Sequence, residues 1–183
     1  MKYFAGACIA ALLIASPAAA AHWNVDYGKS KLGFTVLWDK EPFSASFKSW
    51  KANIDFDPAD LAHARADVSI DLASEVSEEA DFDEGLKGAL GFDAKAFPQA
   101  HFTAKSFTHK SGNDYVAAGT LSIRGVTKDI TLPFTLTVNG KSAHMVGAAQ
   151  VLRTDFGVGS GMWDKPKPVA HEVTINIDLA AAS

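Results

Sequence analysis

Gly119-Thr120-Leu121-Ser122-Ile123-Arg124-Gly125-Val126-Thr127-Lys128-Asp129-Ile130-Thr131-Leu132-Pro133-Phe134-Thr135-Leu136-Thr137-Val138 is the run whose reading decides the fold. Its first arm, with Tyr115 and Ala117 just upstream, carries Gly119, Leu121 and Ile123 at every second position. Its second arm carries Ile130, Leu132, Phe134, Leu136 and Val138 in the same way, with Thr131, Thr135 and Thr137 in the alternate places. A period of two sends one set of side chains to one face of a sheet. Arms of this kind joined through Arg124-Gly125-Val126-Thr127-Lys128 predict a β-hairpin with Gly125 in the turn.

The same period recurs on both sides. Leu32, Phe34, Val36 and Trp38 predict one strand, and Ala66, Val68, Ile70 and Leu72 another. Phe43 to Phe56 reads as a single longer strand in which Phe47 is out of step with Trp50, Ala52, Ile54 and Phe56, so a β-bulge is expected inside it. Further strands are predicted at His101–Phe107, at Ala143–Leu152 after the Asn139-Gly140 turn, and at Val173–Leu179. One segment has a different period. Ser77, as N-cap before Glu78 and Glu79, and the four-apart stripe Phe82, Leu86 and Leu90 predict a short helix ending at Gly91, weakened by Gly85 and Gly88. The expectation is an all-β chain of about eight short antiparallel strands with one short inserted helix. Closing such a sheet into an up-and-down barrel removes its unpaired edges and leaves room for one small ligand.

With 183 residues the chain is long enough for one domain with a substantial core. Residues 1–21 read as a secretory signal peptide: Lys2, an apolar stretch from Ala5 to Ala15, and small residues before a cleavage site placed just ahead of His22. Residues 22–183 are the expected mature domain and the periplasm its expected compartment. Cys8, the only cysteine, would leave with the leader, so no disulfide is expected. Loss of Lys2 takes the formal charge from −4 to −5. A mildly acidic chain without basic clusters argues against nucleic acid and against an anionic membrane surface.

No catalytic signature emerges. The six histidines show no metal-ligand spacing, and neither a nucleophile elbow nor a phosphate loop occurs. The acidic group Asp81, Asp83 and Glu84 lies in the predicted first helical turn, where carboxylates suit the dipole. Arg124, Arg153 and Asp155 are read as structural, a guanidinium bridging a carboxylate and tying off loose backbone near the glycine-rich Asp155–Gly161 turn, or holding a polar head group at a barrel mouth. The aromatic load, twelve Phe and four Trp, is the remaining signal, and rings spaced by Gly and Ala suit the lining of an apolar cleft.

Three spaced motifs then point to a family. Leu121-Ser122-Ile123-Arg124-Gly125-Val126-Thr127-Lys128 with Ile130-Thr131-Leu132, the segment Phe92-Asp93-Ala94 with Phe97-Pro98, and Arg153-x-Asp155-Phe156-Gly157-Val158 together resemble the YceI-like family. The resemblance implies an extended lipocalin-like, eight-stranded antiparallel β-barrel, export to the periplasm, and a polyisoprenoid or isoprenoid-quinone-like amphiphile held non-covalently inside. Many members carry a histidine where this chain has Trp38, and Ala45-Ser46-Phe47 stands where they carry glycine-x-phenylalanine. That pattern is similar to a branch joined to cytochrome b561-type membrane domains, which implies a membrane redox partner and bears on ligand identity more than on fold.

The expectation is therefore a carrier, not an enzyme, with no cofactor and no metal, as a monomer or homodimer. Lining is assigned to Phe34, Val36, Trp38, Phe47, Trp50, Phe102, Leu121, Ile123, Phe134 and Leu136, and a lid to Phe82, Leu86, Phe92 and Phe97. The rival readings are a lipid-acting enzyme in the same pocket and a ligand-free, stress-related interaction module. At about 0.3 kcal/mol per heavy atom, four buried isoprene units yield about 6 kcal/mol, or tens of micromolar, without any polar contact. A tail binder needs no polar motif.

Overall fold

In a computed structural model, residues 21–183 are described. The expected leader, apart from Ala21, lies outside the described residues. The strands among the described residues are β1 (His22–Val25), β2 (Lys31–Trp38), β3 (Glu41–Phe47), β4 (Trp50–Asp55), β5 (Arg65–Asp71), β6 (Glu75–Val76), β7 (Gln99–Ser111), β8 (Asp114–Ile123), β9 (Val126–Asn139), β10 (Ser142–Leu152) and β11 (Val169–Ala182), with one α-helix, α1 (Ala80–Lys87). The ring β1-β4-β5-β7-β8-β9-β10-β11 closes on itself through β1–β11 pairs, Asn24 with Ala182 and Val25 with Ala181. All pairings are antiparallel, so this is a closed eight-stranded barrel. Short breaks in the chain make β2, β3 and β6 continuations of β1, β4 and β5 toward the far end, where α1 sits; the end of the chain and the start of β1 share the opposite, terminal end.

The deciding hairpin forms with a tighter turn than expected. Ile123 pairs with Val126, leaving only Arg124 and Gly125 in the loop. Both have positive φ, 51° and 74°. That is the combination a two-residue turn needs to match the strand twist, and Gly125 accepts it without strain. The second arm therefore starts at Val126, four residues earlier than the apolar alternation indicates.

The parity slip in Phe43–Phe56 is real and becomes a complete break. Lys48 N–H donates to Ser74 O at 3.1 Å, and Ser49 N–H to Ser74 Oγ at 3.0 Å. With those donors turned toward the β5–β6 segment, β3 and β4 are separate strands. The helix is shorter than expected. It stops at Lys87, so Leu90 lies beyond it and is exposed. Ser77 is not the N-cap; Glu79 holds that position without a side-chain bond. The Ser77 hydroxyl instead donates to Asp83 Oδ1 at 2.5 Å and accepts from Glu79 N–H at 3.0 Å, holding the first turn from two residues upstream.

A second bulge went unread in the sequence. The β7–β8 register shifts between Ala104 and Ser106. Ala104 faces inward, and the extra residue returns Phe107 to the interior. The backbones approach closely there, so an ideal Cβ on Gly119 would overlap Thr103 O and lie 2.9 Å from Ala104 Cα. Gly119→Ala is expected to destabilise the barrel by about 1–3 kcal/mol, the range for overpacking, measured by urea denaturation.

Candidate ligand site: an apolar cavity in the terminal half of the barrel

Inward-facing residues form two packed groups. One surrounds Trp23, Phe56, Tyr115 and Phe134 in the terminal half. The other surrounds Leu32, Phe34, Leu72 and Phe92 toward α1. Phe92 stands edge-on to Phe34 at 6.0 Å and tilted to Phe47 at 5.9 Å, and these rings fill the α1 half of the axis. The hollow therefore does not run from end to end.

What remains open is a cavity of about 110 Å³ in the terminal half. Every side chain lining it is apolar, among them Trp23, Leu32, Ile54, Phe56, Phe107, Leu132, Met145 and Leu179. The Trp23 indole N–H is already satisfied by Phe56 O at 2.8 Å. Such a surface offers hydrocarbon no competing polar group and water no partner. A larger depression of about 700 Å³ lies on the outer face across β2, β3 and β7–β11. It is shallow and open to solvent, whereas burial of a ligand's surface requires an enclosed site.

Of the expected lining residues, Trp50, Phe102, Phe134 and Leu136 border the main cavity. Val36 and Trp38 border a separate space of about 50 Å³, together with the expected lid residues Phe82 and Leu86. Phe82 packs edge-on to Trp38 at 4.6 Å and to Phe43 at 5.5 Å. Phe34, Phe47 and Phe92 are the plug itself. Leu121 is buried, Ile123 packs against the plug, and Phe97 lies against Gly125. The helix thus roofs the filled half and not the hollow. Trp23, Phe56 and Met145 were legible as alternating apolar residues but not as cavity wall. Phe107 was not legible, because the bulge at Lys105 reverses its parity.

The α1 end is held by two arginines. Arg153, 6% exposed, bonds six carbonyls: Val158, Gly159, Trp163, Lys165, Val169 and Ala170. The expected carboxylate partner is replaced by loop backbone, and burial lowers the guanidinium pKa. With its donors engaged, Arg153 is not free for a head group. Arg124 donates to Ala89 O at 2.8 Å and to Gly91 O, fastening the loop that carries Phe92.

Glu75 is the other buried charge-bearing group. It is fully buried, and among the described residues neither carboxyl oxygen has a hydrogen-bond partner. Desolvation, reinforced by Asp83 and opposed by Lys87, pushes its pKa from 4.5 up to about 7. A raised carboxyl pKa means the folded state holds its proton longer than the unfolded chain does. The associated stability is complete below pH 4.5 and is lost as pH rises through 7. Glu75→Gln removes that dependence. The stability advantage of the Gln variant over the parent is expected to grow by about 3 kcal/mol between pH 4.5 and 8, read from paired denaturation curves.

A closed eight-stranded antiparallel barrel has an interior just wide enough for side chains to fill or for one small ligand. Residues 23–181 match the YceI-like domain, and the chain belongs to that family. A UPF0312 protein of Photorhabdus laumondii is 30% identical over 184 residues, covering 92% of this chain and 91% of that protein. The crystal structure of Burkholderia cenocepacia BcnA is 34% identical with a TM-score of 0.84, covering 87% of this chain and all of that one. A polyisoprenoid-binding domain from Saccharophagus degradans, implicated in plant cell wall breakdown, shares the fold at a TM-score of 0.69 and 15% identity, covering 88% of this chain and 98% of that one.

Proposed function

We propose that this protein is an exported, periplasmic carrier that holds the hydrocarbon tail of an isoprenoid lipid or isoprenoid quinone inside its barrel. One observation carries the reading: a cavity with an entirely apolar wall in the centre of a closed sheet. A filled barrel of this size packs to native density without such a space. The Saccharophagus domain, described as polyisoprenoid-binding, supports the ligand class through shared fold. The leader-like residues 1–21 support export.

Binding is favoured over catalysis because, among the described residues, the side chains lining the main cavity include none that titrates. Glu75, the carboxyl with a pKa near 7, lines neither the main cavity nor the space under α1. A lipid-acting enzyme needs a positioned acid or base beside its substrate. A quinone ligand would give the carrier a membrane redox enzyme as partner.

At about 110 Å³ the cavity is smaller than the roughly 300 Å³ at which drug-sized sites begin. A tail of several isoprene units fills it only as wall side chains move apart. The decisive experiment is native mass spectrometry of protein isolated from its own periplasm, followed by organic extraction; an isoprenoid adduct is expected, and protein consistently free of lipid would overturn the reading. Ala143→Leu, which places a larger side chain into the cavity wall, is expected to keep the fold and lose most of the co-purified lipid in the same measurement.

A further inference from the structure

The barrel wall has a seam. Pairing of β1 with β4 ends at Trp23–Ile54, and pairing of β2 with β3 begins at Gly33–Ser46. Between those points, among the described residues, no strand register joins 24–32 to 47–53. The outer margins of both segments are well held. Asp26 N–H donates to Ala180 O at 2.8 Å, Lys31 pairs with Asp178, and β4 is paired with β5 from Trp50 to Asp55. Of these two segments only the facing edges lack a ladder; β9 and β10 also part beyond Phe134–Gly147, but that gap lies toward the α1 end.

Side chains close the gap. Ala52 N–H donates to the Tyr27 hydroxyl oxygen at 3.1 Å, and the Tyr27 ring stands edge-on to Trp50 with centroids 4.9 Å apart. Tyr27 is 47% exposed, whereas Trp50 borders the apolar cavity. This pair of rings therefore separates solvent from the hollow. Cavity-lining Trp23 and Ile54 flank one end of the seam, and Leu32 the other. On the outside, Tyr27 borders a depression of about 530 Å³ whose wall includes Lys51, Asn53, Asp67, Ser69 and His101.

Opening the barrel anywhere along a ladder breaks a row of backbone hydrogen bonds and strands their donors. At the seam, opening breaks one hydrogen bond and one ring contact. The α1 end is a poor route, because Phe92 wedges against Phe34 and Phe47 beneath loops fastened by Arg124 and Arg153. The turn bearing Tyr27 is pinned by the Asp26–Lys29 ion pair at 2.9 Å and by Ser30 Oγ donating to Asp26 O at 2.8 Å. The ring, not the turn, is the part free to swing.

We propose that this seam is a side door: Tyr27 and Trp50 part to admit the hydrocarbon end of an amphiphile, whose polar head stays in the outer depression. The depression carries one lysine, Lys51, and one aspartate, Asp67, with Asn53, Ser69 and Thr103 beside them, which suits an uncharged head such as a hydroxyl or carbonyl. The proposal rests on the carrier reading above and adds a route and a head-group position to it.

The test is stopped-flow fluorescence with farnesyl anthranilate, a prenol ester with a fluorescent head, mixed with the whole mature protein. Tyr27→Ala is expected to speed loading and release alike by about tenfold, leaving their ratio nearly unchanged. Tyr27→Phe, which loses only the bond to Ala52, gives a smaller acceleration, and Phe82→Ala on α1 leaves both rates at the parent value. Iodide quenches the bound head in every variant. Unchanged rates in a folded Tyr27→Ala protein, acceleration confined to Phe82→Ala, or a head shielded from iodide would each overturn the side door while leaving the carrier standing. If Tyr27→Ala does not fold, the Tyr27→Phe and Phe82→Ala rates decide. Failure of the parent protein to bind the ester would overturn both proposals.

Discussion

Closure of the sheet is the constraint from which the rest follows, and few residues accomplish it. Asn24–Ala182 and Val25–Ala181 join the first strand to the last, and Asp26 N–H extends that contact to Ala180 O. Without them the sheet has two open edges, each a row of unpaired amides and carbonyls. With them most of the inward face is withdrawn from water, so an inward polar group carries a desolvation cost unless it is partnered or uncharged. That cost explains the alternation in each strand. It also explains why the polar side chains at the α1 end are either saturated, as with Arg153, or held nearer to neutrality, as with Glu75.

The interior is divided unequally. In the α1 half the chain supplies its own filling, with Phe92 brought in on a loop and packed between rings from β2 and β3. In the terminal half small residues, including Ala66, Ala117, Ala143 and Ala181, face large ones and leave space unfilled. A barrel that is rigidly capped at one end and under-filled at the other concentrates adaptability where a ligand would sit. Hydrogen bonds from Arg153 and Arg124 give the capped end its definition, since their backbone acceptors have fixed positions.

The breaks in the first, second and third strands follow from the same geometry. Eight strands wrapped around a hollow must tilt and coil, and long strands accommodate this by bulging or breaking. The break at Lys48–Ser49 sends backbone donors toward Ser74, and the break at Asp26–Ser30 projects Tyr27 across the resulting gap. Backbone ladders hold most of the wall; two rings close the seam beside the cavity, and β9 and β10 part beyond Phe134–Gly147 toward the α1 end.

Much of this was legible in the residues alone. Period-two alternation announced the strands, Asn139-Gly140 a tight turn, and Gly125 a turn that forms tighter than the five-residue join indicates. The parity slip around Phe47 announced a bulge where the structure has a break. Those signals are local, because side-chain alternation and turn conformation depend on neighbours in the chain. The inward direction of Phe107 was hidden, because a bulge shows itself only against the strand it pairs with. Phe92, expected in a lid, packs as a plug, and that depends on how far a loop reaches into the barrel. From sequence alone the chain was determined to be a closed antiparallel barrel with a greasy interior. Tertiary structure decided which half of that interior is filled, whom Arg153 and Glu75 meet, and where the wall is closed by side chains, because each depends on contacts between residues far apart in the chain.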